Sequence, residues 1–252
     1  MTEPSIHHWT ASDGVDLAWR EMGEGRAAVL VHGLFSDGVT NWIKFGAAER
    51  LVEAGLRVIM PDLRAHGLSG KPHDPALYSD GILGRDLTEL VANLGLTDYD
   101  LGGFSLGSRT IVQAVGEGLT PRRAILSGMG LEGLTGWLKR KHFFLGAIAN
   151  VATSKRGDSD WLAIQFMKTK QVDLAAAKLL LPTFTDANPD WLAAFTMPTC
   201  VLCGTEDQDN GSAEHLTDAL PNATYVPIPG THMSSVTKSE FGQAIAAFLG
   251  AS

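Results

Sequence analysis

The sequence predicts an α/β protein: a mostly parallel twisted sheet with helices on both faces, an antiparallel hairpin at its N-terminal end and one helical insertion. Three observations carry that expectation. Short apolar runs such as Val29-Leu30-Val31 and Val58-Ile59-Met60 have the make-up of strands covered on both faces. These runs alternate with stretches of helical period, the mark of a parallel sheet flanked by helices. The alternation stops once, between about Gly130 and Thr196, where helical segments follow one another without a convincing strand, and then resumes.

The elements follow in order. Ile6–Thr10 and Val15–Arg20 flank Asp13-Gly14, a two-residue type I′ turn signal, and read as a hairpin. Ala27–His32 is a strand, and Asn41–Ala54 an amphipathic helix closed by Gly55. Arg57–Pro61 is the next strand. Asp80–Asn93 is a helix, with Ile82, Leu83, Leu87, Leu90, Val91 and Leu94 on its apolar side and Gly95 at its end. Tyr99–Phe104 (strand), Leu106–Val115 (helix) and Arg122–Ser127 (strand) complete the first part. The insertion holds helical segments near Leu134–Val151, Trp161–Lys170, Leu174–Leu180 and Pro189–Phe195. Thr199–Cys203 and Thr224–Ile228 are the last strands, with helices at Ser212–Ala219 and Ser239–Leu249. The expected organisation is a core of residues 1–129 and 197–252 carrying an insertion of residues 130–196.

Composition narrows the function. A chain of 252 residues, 44% hydrophobic, can bury a sizeable core. A net charge of −8 repels phosphate backbones, so nucleic acid is not expected as a partner. The N-terminus lacks the basic start and apolar stretch of a secretory signal, and the longest apolar run, Phe143 to Ala152, is too short to span a bilayer. A cytoplasmic protein without a membrane span is the expectation. Cys200 and Cys203 form a C-x-x-C, but in a strand residues three apart face opposite sides, and two thiols fall short of a zinc site. His7 and His8 face apart for the same reason.

The strongest local signal is Gly103-Phe104-Ser105-Leu106-Gly107, a G-x-S-x-G between an apolar strand and a helix. A tight turn there lifts the serine hydroxyl above the sheet edge, and the N–H groups that follow sit at a helix N-terminus that favours negative charge. The glycines do not fit the spacing of a dinucleotide loop. A serine attacks only when a neutral histidine takes its proton and an acid orients that histidine. His232, on a loop after the last strand, is one candidate; His32, at a strand end beside the elbow, is its rival. His66 and His73 lie in a loop, His142 in the insertion, and His215 on a polar helix expected to face solvent. Asp207, Glu206 and Asp209 all follow the Thr199–Cys203 strand closely enough to serve as the acid. Asp62 has a structural reading, paired within its own loop, with Arg64 as the candidate partner, and Arg109 that of a helix-surface pair.

Five motifs in order resemble the α/β-hydrolase fold superfamily, in particular its small cap-bearing serine esterases. They are Val31-His32-Gly33-Leu34, Pro61-Asp62-Leu63-Arg64-Ala65-His66-Gly67-Leu68-Ser69, the elbow at Ser105, Gly204-Thr205-Glu206-Asp207, and Pro229-Gly230-Thr231-His232. Ala65 departs from the glycine many relatives carry. The resemblance covers nearly the whole chain and implies a triad of Ser105, Asp207 and His232. It implies an oxyanion hole from the backbone N–H groups of Leu106 and Leu34, with Phe35 as the alternative to Leu34. It also implies that the insertion is a helical cap, whose Trp137 and Phe144, with Phe35 below, are the candidate substrate-binding residues. The implied activity is cleavage of a carboxylic ester or related acyl bond of a small molecule, with no metal or organic cofactor. Carbon–carbon bond hydrolases, lactonases, thioesterases and perhydrolases share such a triad, as do slowly hydrolysing ligand receptors. Serine at the elbow argues against the carboxylate-dependent dehalogenases and epoxide hydrolases. Between Met129 and Thr196 there are eight Lys/Arg and six Asp/Glu, so the insertion is the basic part of an acidic chain. That excess is read first as a solvated helix face and second as a guide for anionic substrates.

Overall fold

In the computed structural model, which describes residues 3–250, eight strands form one sheet. Met1, Thr2, Ala251 and Ser252, the outermost residues of the expected core range and the start of the stretch read as lacking a signal, lie outside the described residues. The strands are β1 (Ser5–Thr10), β2 (Asp16–Met22), β3 (Arg26–Val31), β4 (Leu56–Pro61), β5 (Tyr99–Phe104), β6 (Ala124–Ser127), β7 (Thr199–Gly204) and β8 (Ala223–Ile228). Their order is β1-β2-β4-β3-β5-β6-β7-β8. β1 and β2 pair antiparallel, β2 joins β4 antiparallel, and β3 to β8 run parallel.

The period-2 alternation of each strand divides its side chains between two cores. Val29, Val31, Leu101, Leu126, Val201 and Cys203 face one side. Ala28, Leu30, Ile125, Cys200 and Leu202 face the other. Helices α2 (Ile82–Asn93) and α3 (Leu106–Gly116) cover the first face; α1 (Ala47–Glu53) and α11 (Ser239–Gly250) cover the second. Phe241, Ile245 and Leu249, at four-residue spacing on α11, are its buried stripe. α9 (Ala213–Ala219) packs along β7 and β8.

Between β6 and β7 the chain forms α4 (Leu131–Thr135), α5 (Trp137–Ala149), α6 (Trp161–Thr169), α7 (Leu174–Leu180) and α8 (Pro189–Ala193). Their buried residues, among them Trp137, Ile148, Ile164, Leu181 and Phe195, join the apolar cluster of the first sheet face. Among the described residues no helix is long and apolar enough to cross a membrane.

Three local expectations change. The hairpin does not turn on Asp13-Gly14 alone. Ala11 accepts from the Gly14 amide and donates to Val15 O, and Gly14 lies at φ 87°, a three-residue loop with a glycine bulge. Ala11 and Val15, both buried, anchor this wider loop. The helix expected from Asn41 breaks at Gly46 (φ 78°), leaving a π-turn at Val39–Ile43 ahead of α1. The one expected from Leu134 breaks at Gly136, between α4 and α5.

Candidate active site

Ser105 stands between β5 and α3 at φ 54°, ψ −110°, a conformation that costs a non-glycine residue energy and persists only where its surroundings enforce it. The enforcement is steric. A Cβ on Gly103 would lie 2.5 Å from the Gly107 and Ser108 backbone, and one on Gly107 would lie 2.0 Å from the Val31 carbonyl oxygen. The Ser105 amide donates to Ser127 O (2.8 Å), and the Ser108 hydroxyl lies within 2.9 Å of Gly103 O and 2.8 Å of Ser127 O. The turn is thus fastened to both neighbouring strand ends.

The other two expected residues come to it across the C-terminal edge of the sheet. His232 opens the one-turn helix α10 (His232–Ser235), rather than sitting in a loop, with Thr231 as its capping residue. Its Nε2 lies 3.1 Å from Ser105 Oγ and its Nδ1 2.8 Å from Asp207 Oδ2. The network assigns the proton to Nδ1, leaving Nε2 to accept from the serine. The imidazole packs on the Phe104 ring at 4.9 Å. Gly204 makes this meeting possible: a Cβ there would lie 2.1 Å from Gly230 O, so the turns after β7 and β8 touch backbone to backbone. Burial opposes ionisation of Asp207. The His232 hydrogen bond and charge, the Asp209 amide and the charge of Arg140 outweigh it and hold the carboxyl below its ordinary range. Glu206 and Asp209 are exposed and do not bond the imidazole.

His32, the rival base, is fully buried and occupied on both nitrogens: Nδ1–H donates to Gly33 O (2.7 Å) and Nε2 accepts from the Leu63 amide (2.9 Å). His66 is built the same way, donating to Arg64 O and accepting from the Phe35 amide at 2.9 Å. Burial pushes both imidazoles towards the neutral form, His66 to about 3 with help from the charge of His32. The Phe35 amide is therefore committed, which removes it as an oxyanion donor. The Leu34 and Leu106 amides have no hydrogen-bond partner among the described residues. In the sequence His66 stands as a loop residue within the Pro61–Ser69 motif, with no assigned role; its signals are that motif and a position after a strand at the functional edge of the sheet.

Two further expectations are corrected. Asp62 does not pair with Arg64. It binds Arg20 of β2 (2.7 Å) and accepts the Gly38 and Leu68 amides (2.8 Å each), because Arg64 turns away to Asp86 and Asp13. Arg109 makes no helix-surface pair. It is buried beneath the insertion, donating to Gly133 O and Thr185 O. Cys200 and Cys203 do face opposite cores, and burial pushes both thiols up to about 12.

A cavity of about 280 Å³, counting its mouth, opens over Ser105 and is walled by Leu34, Leu106, Trp137 and Phe144. Phe35 does not line it but stands behind, edge-on to Phe144 at 5.6 Å. A second hollow, of about 340 Å³, shares Leu106 and Arg109 with it but lies away from the serine, against Phe184 and Trp191. Among the described residues no group of three or more His, Cys, Asp or Glu side chains could hold a metal ion.

The comparisons with known proteins agree with this architecture. A family profile described as alpha/beta hydrolase fold matches residues 28–127. The chain has the α/β-hydrolase fold. A non-heme chloroperoxidase of Kitasatospora aureofaciens is 33% identical over 115 residues, 45% of this chain and 39% of that protein. A non-heme haloperoxidase of Rhodococcus erythropolis is 36% identical over 111 residues, 42% of this chain and 37% of that protein. The matched segments thus span under two fifths of these relatives. An esterase of Exiguobacterium antarcticum superposes with a TM-score of 0.76 at 18% identity, covering 97% of this chain and 99% of that one.

Proposed function

We propose that this chain is a serine hydrolase that cleaves a carboxylic ester or related acyl bond through an acyl-enzyme. The observation that carries the reading is the chain of contacts Asp207–His232–Ser105, 2.8 and 3.1 Å long, under a cavity with Leu34, Leu106, Trp137 and Phe144 in its wall. Ser105 Oγ attacks the acyl carbon as His232 Nε2 takes its proton; Asp207 holds the ring and stabilises the imidazolium. The oxyanion is received by the Leu34 and Leu106 N–H groups, each such donor contributing about 3 kcal/mol to transition-state stabilisation. His232 returns the proton to the departing alkoxide, and an alcohol leaves. Water then loses a proton to His232, attacks the acyl carbon and releases the acid, while the proton passes back to Ser105. Trp137 and Phe144 form the acyl wall, with Phe35 as their support, and helices α4–α8 act as a cap. The enclosed space beside Ser105 is small, which favours short acyl groups.

The test is hydrolysis of p-nitrophenyl esters of increasing acyl length by wild type and Ser105→Ala. Wild type should prefer the short esters, and the variant should lose on the order of 10⁴-fold or more in kcat. Full activity in the variant would place the nucleophile elsewhere. The haloperoxidase relatives favour a second reading, in which hydrogen peroxide replaces water on the same acyl-enzyme and releases a peroxy acid. Peroxy acid formed from ester and peroxide, and abolished in Ser105→Ala, would establish it.

A further inference from the structure

Two cations share the cavity with the serine. Arg109 of α3 and Arg140 of α5 are the charged side chains along its wall. Neither lies within ion-pairing distance of a carboxylate among the described residues. Arg109 gives its N–H groups to two neutral carbonyls and lies 5.3 Å from the Trp137 ring. Arg140 donates to the Asp209 backbone carbonyl and covers the Phe144 ring at 5.6 Å. Burial lowers the pKa of both, Arg109 to about 10, so both stay charged at neutral pH in surroundings that disfavour charge.

Of the nearby carboxylates, that of Asp209 acts on Arg140 by its charge but is exposed and outside ion-pairing distance, and the other two are engaged elsewhere. Asp186 accepts the Trp137 amide (2.7 Å), and Asp207 accepts His232 and the Asp209 amide. An unpaired cation half-removed from water is costly, and an anion brought to it offsets that cost. A guanidinium carries five donors in a planar fork that matches a carboxylate, and Arg140 spends one of its nitrogens on Asp209 O. Arg109, tied to the two ends of the insertion, contributes its field rather than a free donor.

We infer that the substrate is a small ester bearing a carboxylate a few bonds from the scissile carbonyl, gripped by Arg140 with Arg109 behind it. This rests on the serine-hydrolase reading and names the substrate class of that same site. Arg140 is a specificity residue here, distinct from one that acts only through Asp207.

The experiment compares monoethyl succinate with ethyl pentanoate, an anionic and a neutral ester of similar size, with hydrolysis followed by proton release. Wild type should favour the anion in kcat/KM by about 10- to 100-fold, the range for a hydrogen bond to a charged group. In Arg140→Gln the ratio should collapse towards one, mainly through KM, and Arg140→Lys should restore part of it. A wild-type ratio at or below one, with Ser105-dependent turnover of the neutral ester, would overturn the inference and leave the hydrolase reading standing. Equal loss on both esters in Arg140→Gln, with a shifted pH profile, would also overturn it, since that is the signature of an effect through Asp207. If neither ester were turned over, the hydrolase reading itself would be in question. Calorimetric binding of monoethyl succinate to Ser105→Ala, with and without Arg140→Gln, would then decide: binding that depends on Arg140 supports the subsite, and no binding ends it.

Discussion

The sheet and the helical insertion both face the cavity, but they are fixed in different ways. The sheet side is set by backbone against backbone. Gly103, Gly107 and Gly204 each stand where a Cβ would meet main-chain atoms at 2.0 to 2.6 Å, and these approaches aim Ser105, Asp207 and His232 at one another. Beyond its base, where Gly130, Leu131 and Gly133 meet the Asn210–Ser212 backbone and Thr183 O accepts the Gly81 amide, the insertion is set by side chains reaching across. Arg109 pins Gly133 and Thr185, the Trp137 indole donates to Leu181 O, Lys170 pairs with Asp37 and Thr40, and His73 meets Asp173. Geometry fixed by main-chain contact tolerates no added atom; geometry fixed by long side chains leaves room for the wall to vary while the proposed triad stays in place.

The largest expected effect tests the first half of that contrast. Gly107→Ala puts a methyl 2.0 Å from Val31 O, where no flexible side chain can yield. α3 must then move off the end of β3, at a cost of more than about 3 kcal/mol. Denaturant unfolding of the purified variant should show that loss, or the variant should fail to fold. A loss under about 1 kcal/mol would mean that the elbow is not sterically fixed.

Acid sharpens the contrast through the buried histidines, which belong to the sheet side. His66 is neutral in the folded state down to about 3, whereas an unfolded histidine titrates at its ordinary 6.5. The unfolded chain therefore binds more protons between these values. The stabilisation is complete above 6.5 and is lost as pH falls towards 3, at up to about 1.4 kcal/mol per pH unit for each such group. His32 is shifted in the same direction by the same burial. The insertion's His142, by contrast, is exposed. Thermal melts from pH 8 to pH 4 should fall more steeply for wild type than for His66→Gln, which keeps a side-chain acceptor for the Phe35 amide. Parallel slopes would show that the loop beside the elbow is not the acid-sensitive element.

What could be read from the sequence divides along the same line. Strand ends and their turns are written in neighbouring residues, so the elbow and the alternation of strands with helices were legible, as was the buried stripe of α2, whereas spacing left Glu206, Asp207 and Asp209 open and only the family resemblance singled out Asp207. Pairings between distant segments were not. Nothing near Asp62 points to Arg20, forty-two positions away, and nothing near Arg109 points to Thr185, seventy-six away. The hairpin was half legible: Asp13-Gly14 marked the turn, but its width depends on Ala11 and Val15 being buried and on Asp13 serving Arg64 and Arg85. Periodicity also ran through Gly46 and Gly136, where one glycine leaves the helical pattern of its neighbours intact and still allows the backbone to break.

The smallest expected effect has the opposite sign to the largest and comes from the same substitution in the other region. Gly146 lies in the interior of α5, where an added Cβ would meet nothing within 4 Å. Its φ lies outside the left-handed region, and its carbonyl accepts the Asn150 amide as a regular helix requires. Glycine there contributes only extra freedom to the unfolded chain, so Gly146→Ala should stabilise the protein by about 0.5 to 1 kcal/mol. Denaturant midpoints at constant m-value would measure it. If Gly146→Ala were as harmful as Gly107→Ala, the insertion would be as closely fixed by its backbone as the sheet, and the contrast between the two walls of the cavity would fail.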